Sequence, residues 1–324
     1  KTHGSLSIDA DYINLHDSTL DISENTIINS KFFKIRNTTN IFNGILSFNV
    51  DNILVDGGDN STNALYIHKG INSFSDSTSG KLLNTELYLS VDSYKSFAVK
   101  WNSSKDIGPV NKGFVDNRAI GQLSLTNSYL GEFNFSTDSK NGAIYVDRLH
   151  IDGFNENKLK TNKLEQIRIR DGMKIYFASS NLPEEIIDGL HDGKLIWVKE
   201  YAGRYSSMPL YLEGLDKAVK VNRAYRRSEI FDTDNDGIAN GFDLSPFGDG
   251  RPILKLTNGV VSWLGVPQAN YSVEYTYALN EEWVRLQVLQ GGDTFKDLKY
   301  KIPKNLRKSD NRNSSFFVRV KVIN

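Results

Sequence analysis

Residues 232–243 read DTDNDGIANGFD and place four carboxylates, Asp232, Asp234, Asp236 and Asp243, in one short loop. The order D-x-D-x-D-G-x-x-N-x-x-D suits a hard cation. Ca²⁺ takes about six to eight oxygen ligands, and carboxylates at alternate positions wrap around it. Gly237 falls where a sharp turn is needed, and the carbonyl of Ile238 with the side chain of Asp243 closes the shell. Asn240 contributes directly or through water. The competing reading is a plain acidic turn, but carboxylates at this spacing repel one another with nothing between them. The spacing therefore predicts Ca²⁺, held by Asp232, Asp234, Asp236, Ile238, Asn240 and Asp243. Extracellular loops of this sort bind at roughly 10⁻⁴ to 10⁻³ M, so the ion would be permanent outside a cell and structural in role. Asp249, just beyond, reads as a turn residue.

Little else in the chain has the spacing of catalysis. The five histidines, His3, His16, His68, His150 and His191, stand in no H-x-x-x-H or H-E-x-x-H relation. Cysteine is absent, which excludes thiol nucleophiles, disulfides and thiolate metal sites together. No P-loop, G-x-S-x-G or dinucleotide G-x-G-x-x-G occurs, and no catalytic residue is predicted. VDRLHIDG gathers Asp147, Arg148, His150 and Asp152, but strand alternation sends Asp147 to one face and the other three to the opposite one. A solvated strand face accounts for them. The basic NRAYRR, ending at Arg227, is expected to form ion pairs with the acidic loop. Trp263 and Trp283 sit within apolar alternation and read as core rather than as sugar platforms.

The elements that carry these residues are strands. The 324-residue chain has Lys+Arg and Asp+Glu equal at 39 each, so charge points neither to nucleic acid nor to an acidic membrane surface. No apolar run approaches the roughly 20 residues of a spanning helix. Asn, Asp, Ser and Thr supply turns, while Ile, Val, Tyr and Phe fill pleated faces. Through residues 5–55, short alternating runs of four to six residues recur: SLSIDADYINL, STLDIS, KFFKIRN, ILSFNV and NILVDG. A sandwich and a right-handed parallel β-helix both suit them; the β-helix, with rungs of roughly 20–25 residues, is preferred. Residues 74–79 and 102–110 become inserted loops, and Gly142 ends the regular coil.

From residue 143 the texture is mixed. A strand is expected around Ile175, Tyr176 and Phe177, and a helix of two turns from Pro183 to Gly189. Another strand is expected over residues 195–198 and a second short helix over 221–231. After the loop, RPILKL, GVVSWLG, ANYSVEYTYAL, EWVRLQVLQG, DLKYKIP and SFFVRVKVI are six strand candidates of a small β-sandwich. Its expected core is Trp263, Tyr271, Val273, Trp283, Phe317 and Val320. The predicted fold is thus mainly β. It runs as a parallel β-helix (1–142), a mixed capping segment (143–230), a calcium loop (231–250) and a β-sandwich (251–324).

Several stretches resemble known families. L-x-I-x-A-x-x-I-x-L followed by STLDI resembles the coils of filamentous-haemagglutinin-type bacterial adhesins. DTDNDGIANGFD, closing on Asp rather than Glu, is similar to dockerin and thrombospondin type 3 loops. VSWLGVPQANYSVEY with EEWVRL and FFVRVKV resembles fibronectin type III modules. The run from YVDRLHIDGF through IYFASSNLPEEIIDGLHDGKLIWVKEYAG to the aspartate loop resembles the C-terminal region of large secreted proteins of Verrucomicrobia-like bacteria. These resemblances imply an extracellular, cell-surface location and a structural or adhesive role for a piece of a larger protein. The partners they imply are other copies of the chain, surface or matrix components, or polysaccharide, with no nucleic acid and no membrane insertion. The alternative is a β-helical polysaccharide lyase or glycosidase with an accessory domain.

Overall fold

A computed structural model describes residues 5–56, 61–115, 117–128, 130–153, 164–248, 252–307 and 316–323. The chain divides into two compact units, Lys1–Ser207 and Met208–Asn324. The first is built from two parallel sheets. One orders β1 (Ser5–His16), β3 (Asn25–Arg36), β5 (Leu46–Val55), β7 (Ile71–Phe74), β9 (Ser96–Trp101), β11 (Glu132–Ser136) and β13 (Ile167–Ile169). The other orders β2 (Thr19–Ile22), β4 (Thr39–Phe42), β6 (Asn63–Ile67), β8 (Leu82–Val91), β10 (Ile120–Asn127), β12 (Gly142–Asp152), β14 (Met173–Ser180) and β15 (Leu195–Trp197). Every pairing in both is parallel. Parallel neighbours need a crossover, and here each crossover carries a strand of the other sheet, except that from β14 to β15, which carries two single helical turns.

The register is short at the start. Ser5 lies opposite Asn25 and Thr26 opposite Leu46, so one circuit takes twenty residues. It lengthens where loops enter: Phe97 lies opposite Phe133, with residues 102–119 inserted between β9 and β10. Like residues therefore stack on like. Phe48, Phe74 and Trp101 form a buried column with ring centroids 4.8 and 4.1 Å apart. β1, β3 and β5 are longer than the four to six residues expected, because the chain turns a corner within each, at which the pairing skips one position. In β3, Ser30 and Phe33 are buried with Lys31 and Phe32 exposed between them; in β5, Val50 and Ile53 flank Asp51 and Asn52 in the same way. Arg118 is fully buried at such a corner, donating to the carbonyls of Ser79 (2.9 Å) and Asp51 (2.7 Å).

Gly142 opens β12 instead of ending the stack, which continues through β15. The reason lies in burial. Residues 142–147 are buried without interruption, because Phe114 from the inserted loop and Tyr201 cover Tyr145 and Tyr176. A strand covered on both faces loses period-2 alternation, so the texture changed while the architecture did not. The expected helix after Pro183 is a single turn, Glu184–Ile187, held by the Glu184 carboxylate accepting from the Ser180 N–H at 2.7 Å.

The second unit begins with the paired strands β16 (Ser207–Leu210) and β17 (Val219–Asn222). The helix expected over 221–231 is only Arg223–Arg226. Beyond the aspartate loop come β18 (Lys255–Thr257), β19 (Val260–Gly265), β20 (Asn270–Thr276), β21 (Val284–Gln290), β22 (Lys296–Lys301) and β23 (Phe317–Ile323). They form two antiparallel sheets, β18-β19-β22 and β21-β20-β23. Trp263 of the first meets Tyr271 of the second at 5.7 Å. Trp263, Tyr271, Val273 and Val320 are buried as expected. Trp283 and Phe317 are only half-buried, and Trp283 packs under the Arg319 guanidinium at 4.2 Å. The protein is mainly β, parallel in one unit and antiparallel in the terminal sheets of the other. Among the described residues no helix is long and apolar enough to cross a membrane.

Candidate metal centre

The aspartate loop is positioned from below before any carboxylate is considered. Asn222 caps the short helix, its carboxamide oxygen accepting from the N–H groups of Ala224 (2.9 Å) and Tyr225 (3.2 Å). That places Tyr225 against Phe231, Phe247 and Phe295, at 5.6, 5.9 and 5.8 Å. Phe231 and Phe247 flank the loop in sequence, and Phe295 precedes β22, so this aromatic cluster ties the loop to the terminal sheets. Arg226 donates to the carbonyls of Asn240 (3.1 Å), Asp243 (3.3 Å) and Leu244 (3.3 Å). The expectation that this basic helix forms ion pairs is corrected for Arg226, which braces the loop backbone.

On this base Asp232, Asp234 and Asp236 bring carboxylate oxygens within 4.8 Å of one another, the only such grouping of metal-ligating side chains among the described residues. The backbone turns inward to allow it. Gly237 sits at φ +99° with open space where a Cβ would project, so its requirement is conformational rather than steric. Its N–H donates to Asp232 at 2.9 Å, and that of Ile238 to Asp236 at 2.8 Å. Asp234 is 7 % exposed. Burial, reinforced by the charges of Asp236, Asp243 and Asp232 against one N–H from Asp236, pushes its carboxyl up to about 6.

Two oxygens complete the geometry. Oδ1 of Asp232 and Oδ2 of Asp243 are inaccessible to solvent and have no hydrogen-bond partner among the described residues. Buried acceptors are ordinarily satisfied, so these orphaned atoms beside a carboxylate cluster fit a cation better than a solvated turn. The donor set, all oxygen and acidic, suits a hard cation rather than a softer metal.

Asn240 departs from the expected ligand set. It is fully buried, its Nδ2 donating to the Tyr225 carbonyl and the Thr233 hydroxyl (both 2.8 Å) and its Oδ1 accepting from the Thr233 N–H at 3.0 Å. Its amide is thus committed to cross-bracing the loop. The Ile238 main chain lies within the loop, with its side chain 47 % exposed. Asp249 lies outside the described residues.

The VDRLHIDG group divides as alternation predicts. Arg148, His150 and Asp152 lie outward, and His150 Nε2 pairs with Asp152 at 2.9 Å. Asp147 is not solvated at all. It is completely buried, accepting from the Tyr205 N–H at 2.7 Å and from the Ser206 hydroxyl, and burial raises its pKa. A Cβ on Gly203 would approach its Oδ2 to 2.3 Å, so Asp147 pins the 203–206 segment through a glycine. Comparison of the chain with models of known families, with curated proteins and with solved structures returns no match.

Proposed function

We propose that the chain is part of a secreted bacterial cell-surface protein, structural or adhesive, stabilised by Ca²⁺. In this reading the first unit is a right-handed parallel β-helix serving as a stalk. The strand corners at Lys31–Phe32 and Asp51–Asn52 support it, since each circuit then has three faces. The second unit is a calcium loop welded to a fibronectin type III-like β-sandwich. The observation that carries the reading is the acidic loop itself, with buried Asp234 between the unpartnered oxygens of Asp232 and Asp243. A loop of extracellular-type affinity is filled only where Ca²⁺ is abundant, which supports reading the protein as extracellular. The alternative, a polysaccharide lyase or glycosidase on the same coil, draws no support from Asp147, whose carboxylate is sealed from solvent.

Limited proteolysis across a calcium titration tests the reading. Ca²⁺ is expected to protect residues 230–250 and calorimetry to report a site of sub-millimolar to millimolar affinity. Equal cleavage there with calcium and with chelator would overturn it.

A further inference from the structure

The outward face of the second parallel sheet differs chemically from the rest of the coil. On the first sheet exposed polar residues satisfy one another from circuit to circuit: Asn29 donates to Asp9, Asn49 to Asn29 at 2.9 Å and Ser73 to Asn49 at 2.9 Å. Lys31 is likewise paired with Asp11 at 2.9 Å. On the second sheet the register places Glu86, Gln122 and Arg148 in one row across β8, β10 and β12. The adjoining row holds Tyr66, Tyr88, the buried Ser124 and His150. Tyr66 and Tyr88 stack at 4.5 Å with their rings nearly parallel, and the Tyr88 hydroxyl donates to Glu86.

Arg148 is the anomaly in this face. It is half-buried, yet among the described residues its side chain makes no hydrogen bond and no ion pair. A guanidinium presents five N–H donors in a planar fork, and partial burial of a charge without a partner is unfavourable. Its immediate neighbours are the Gln122 amide, the Ser179 hydroxyl, which donates to the Asp147 carbonyl, and an imidazole already engaged with Asp152. An anion is the missing partner, and a carboxylate or sulfate matches the fork in bidentate fashion. The surroundings say what carries that anion. A polyphosphate needs several cations in series, whereas here one cation shares its row with a carboxylate and an amide, next to a row that carries two tyrosines, a serine and a histidine. That is one charge among groups that bond hydroxyls. The sheet spaces the strands that carry each row at about 4.8 Å, so an extended chain of sugar rings lying across the strands meets one side chain of a row after another.

We propose that the face formed by Tyr66, Tyr88, Glu86, Gln122, Arg148 and His150 binds an acidic polysaccharide, with Arg148 holding its carboxylate or sulfate. This rests on the reading of the chain as an adhesive surface protein and names the ligand class of that adhesion.

Calorimetry on the full chain with Ca²⁺ present tests it with three probes: a hexamer of galacturonate, dextran sulfate and neutral dextran. At least one acidic probe is expected to bind at least tenfold tighter than neutral dextran, and the two acidic arms separate carboxylate from sulfate recognition. Arg148→Ala should weaken binding at least tenfold and Arg148→Lys less. Tyr66→Ala should weaken it several-fold, with circular dichroism confirming that each variant is folded. Lys31→Ala, on the other sheet, should bind as the parent does. Failure of both acidic probes, unchanged binding by Arg148→Ala, or an equal loss in Lys31→Ala overturns the proposal. Calcium protection of residues 230–250 is measured on the same samples. If protection persists without glycan binding, the ligand assignment falls while the surface reading stands.

Discussion

The Phe48–Phe74–Trp101 column and the Asp232–Asp234–Asp236 loop hold their backbones by opposite means. In the column each ring is covered by the ring one circuit away, and strand pairing satisfies the backbone, so stability is spread over many similar contacts. In the loop no strand is present. Arg226 and Asn240 reach out to carbonyls and N–H groups, and like charges are gathered against their own repulsion. A repeated architecture tolerates the loss of any one polar contact and depends on its apolar interior. A single loop of concentrated charge depends on what neutralises it.

Three substitutions and one change of pH bear on that contrast. Trp101→Ala should be the most damaging. It empties a fully buried site in the column and should destabilise the first unit by about 3–5 kcal/mol, read by denaturant unfolding. The calcium response of the second unit should be untouched, and a coupled loss would break the separation of the two. Asp234→Ala should do the reverse. With Ca²⁺ at about a hundred times its dissociation constant, the parent gains ~2.7 kcal/mol from binding, and the variant should lose that gain with the coil unaffected. The same residue sets the pH response. Its folded-state pKa of about 6 lies above the ordinary carboxylate value, so in chelator its contribution is present below about pH 4 and lost as pH rises through about 6. The melting midpoint in chelator should be higher at pH 5 than at pH 7.5, and calcium should invert that order. Asn49→Ala should be the mildest. It breaks a solvent-exposed polar ladder of the coil and should cost under about 1 kcal/mol; a larger loss would show that such ladders bear more of the first unit's stability than its core does.

Much of both regions is legible in the residues. Alternation in SLSIDADYINL and KFFKIRN marks strands, and the six terminal runs match six strands. The loop spacing brings Asp232, Asp234 and Asp236 together as it implies. A signal also lay unused: Asp9, Asn29 and Asn49, and again Asp17 and Asn37, recur at intervals of twenty and meet in space. Reading that interval gives the length of the first circuits directly. The boundary at Gly142 misleads because Tyr145 and Tyr176 are covered on a second face by Phe114, and that residue lies in a loop no local pattern connects to them. The helix over 221–231 shrinks to one turn because Val221 and Asn222 belong to β17 and Phe231 turns into the aromatic cluster.

Local chemistry is what the sequence by itself determined: strands from alternation, and a cation-shaped loop from the spacing of its aspartates and Gly237. These properties depend on neighbours within a few residues, where backbone geometry fixes which side chains meet. Tertiary structure alone decided the fate of charged groups whose partners come from far along the chain. Asp147 is sealed by residues 203–206, Arg118 closes a corner formed by Ser79 and Asp51, and Asn240 braces the loop through Tyr225 and Thr233. Whether a polar side chain is solvated, buried or left without a partner depends on what the folded chain lays over it, and spacing carries no record of that.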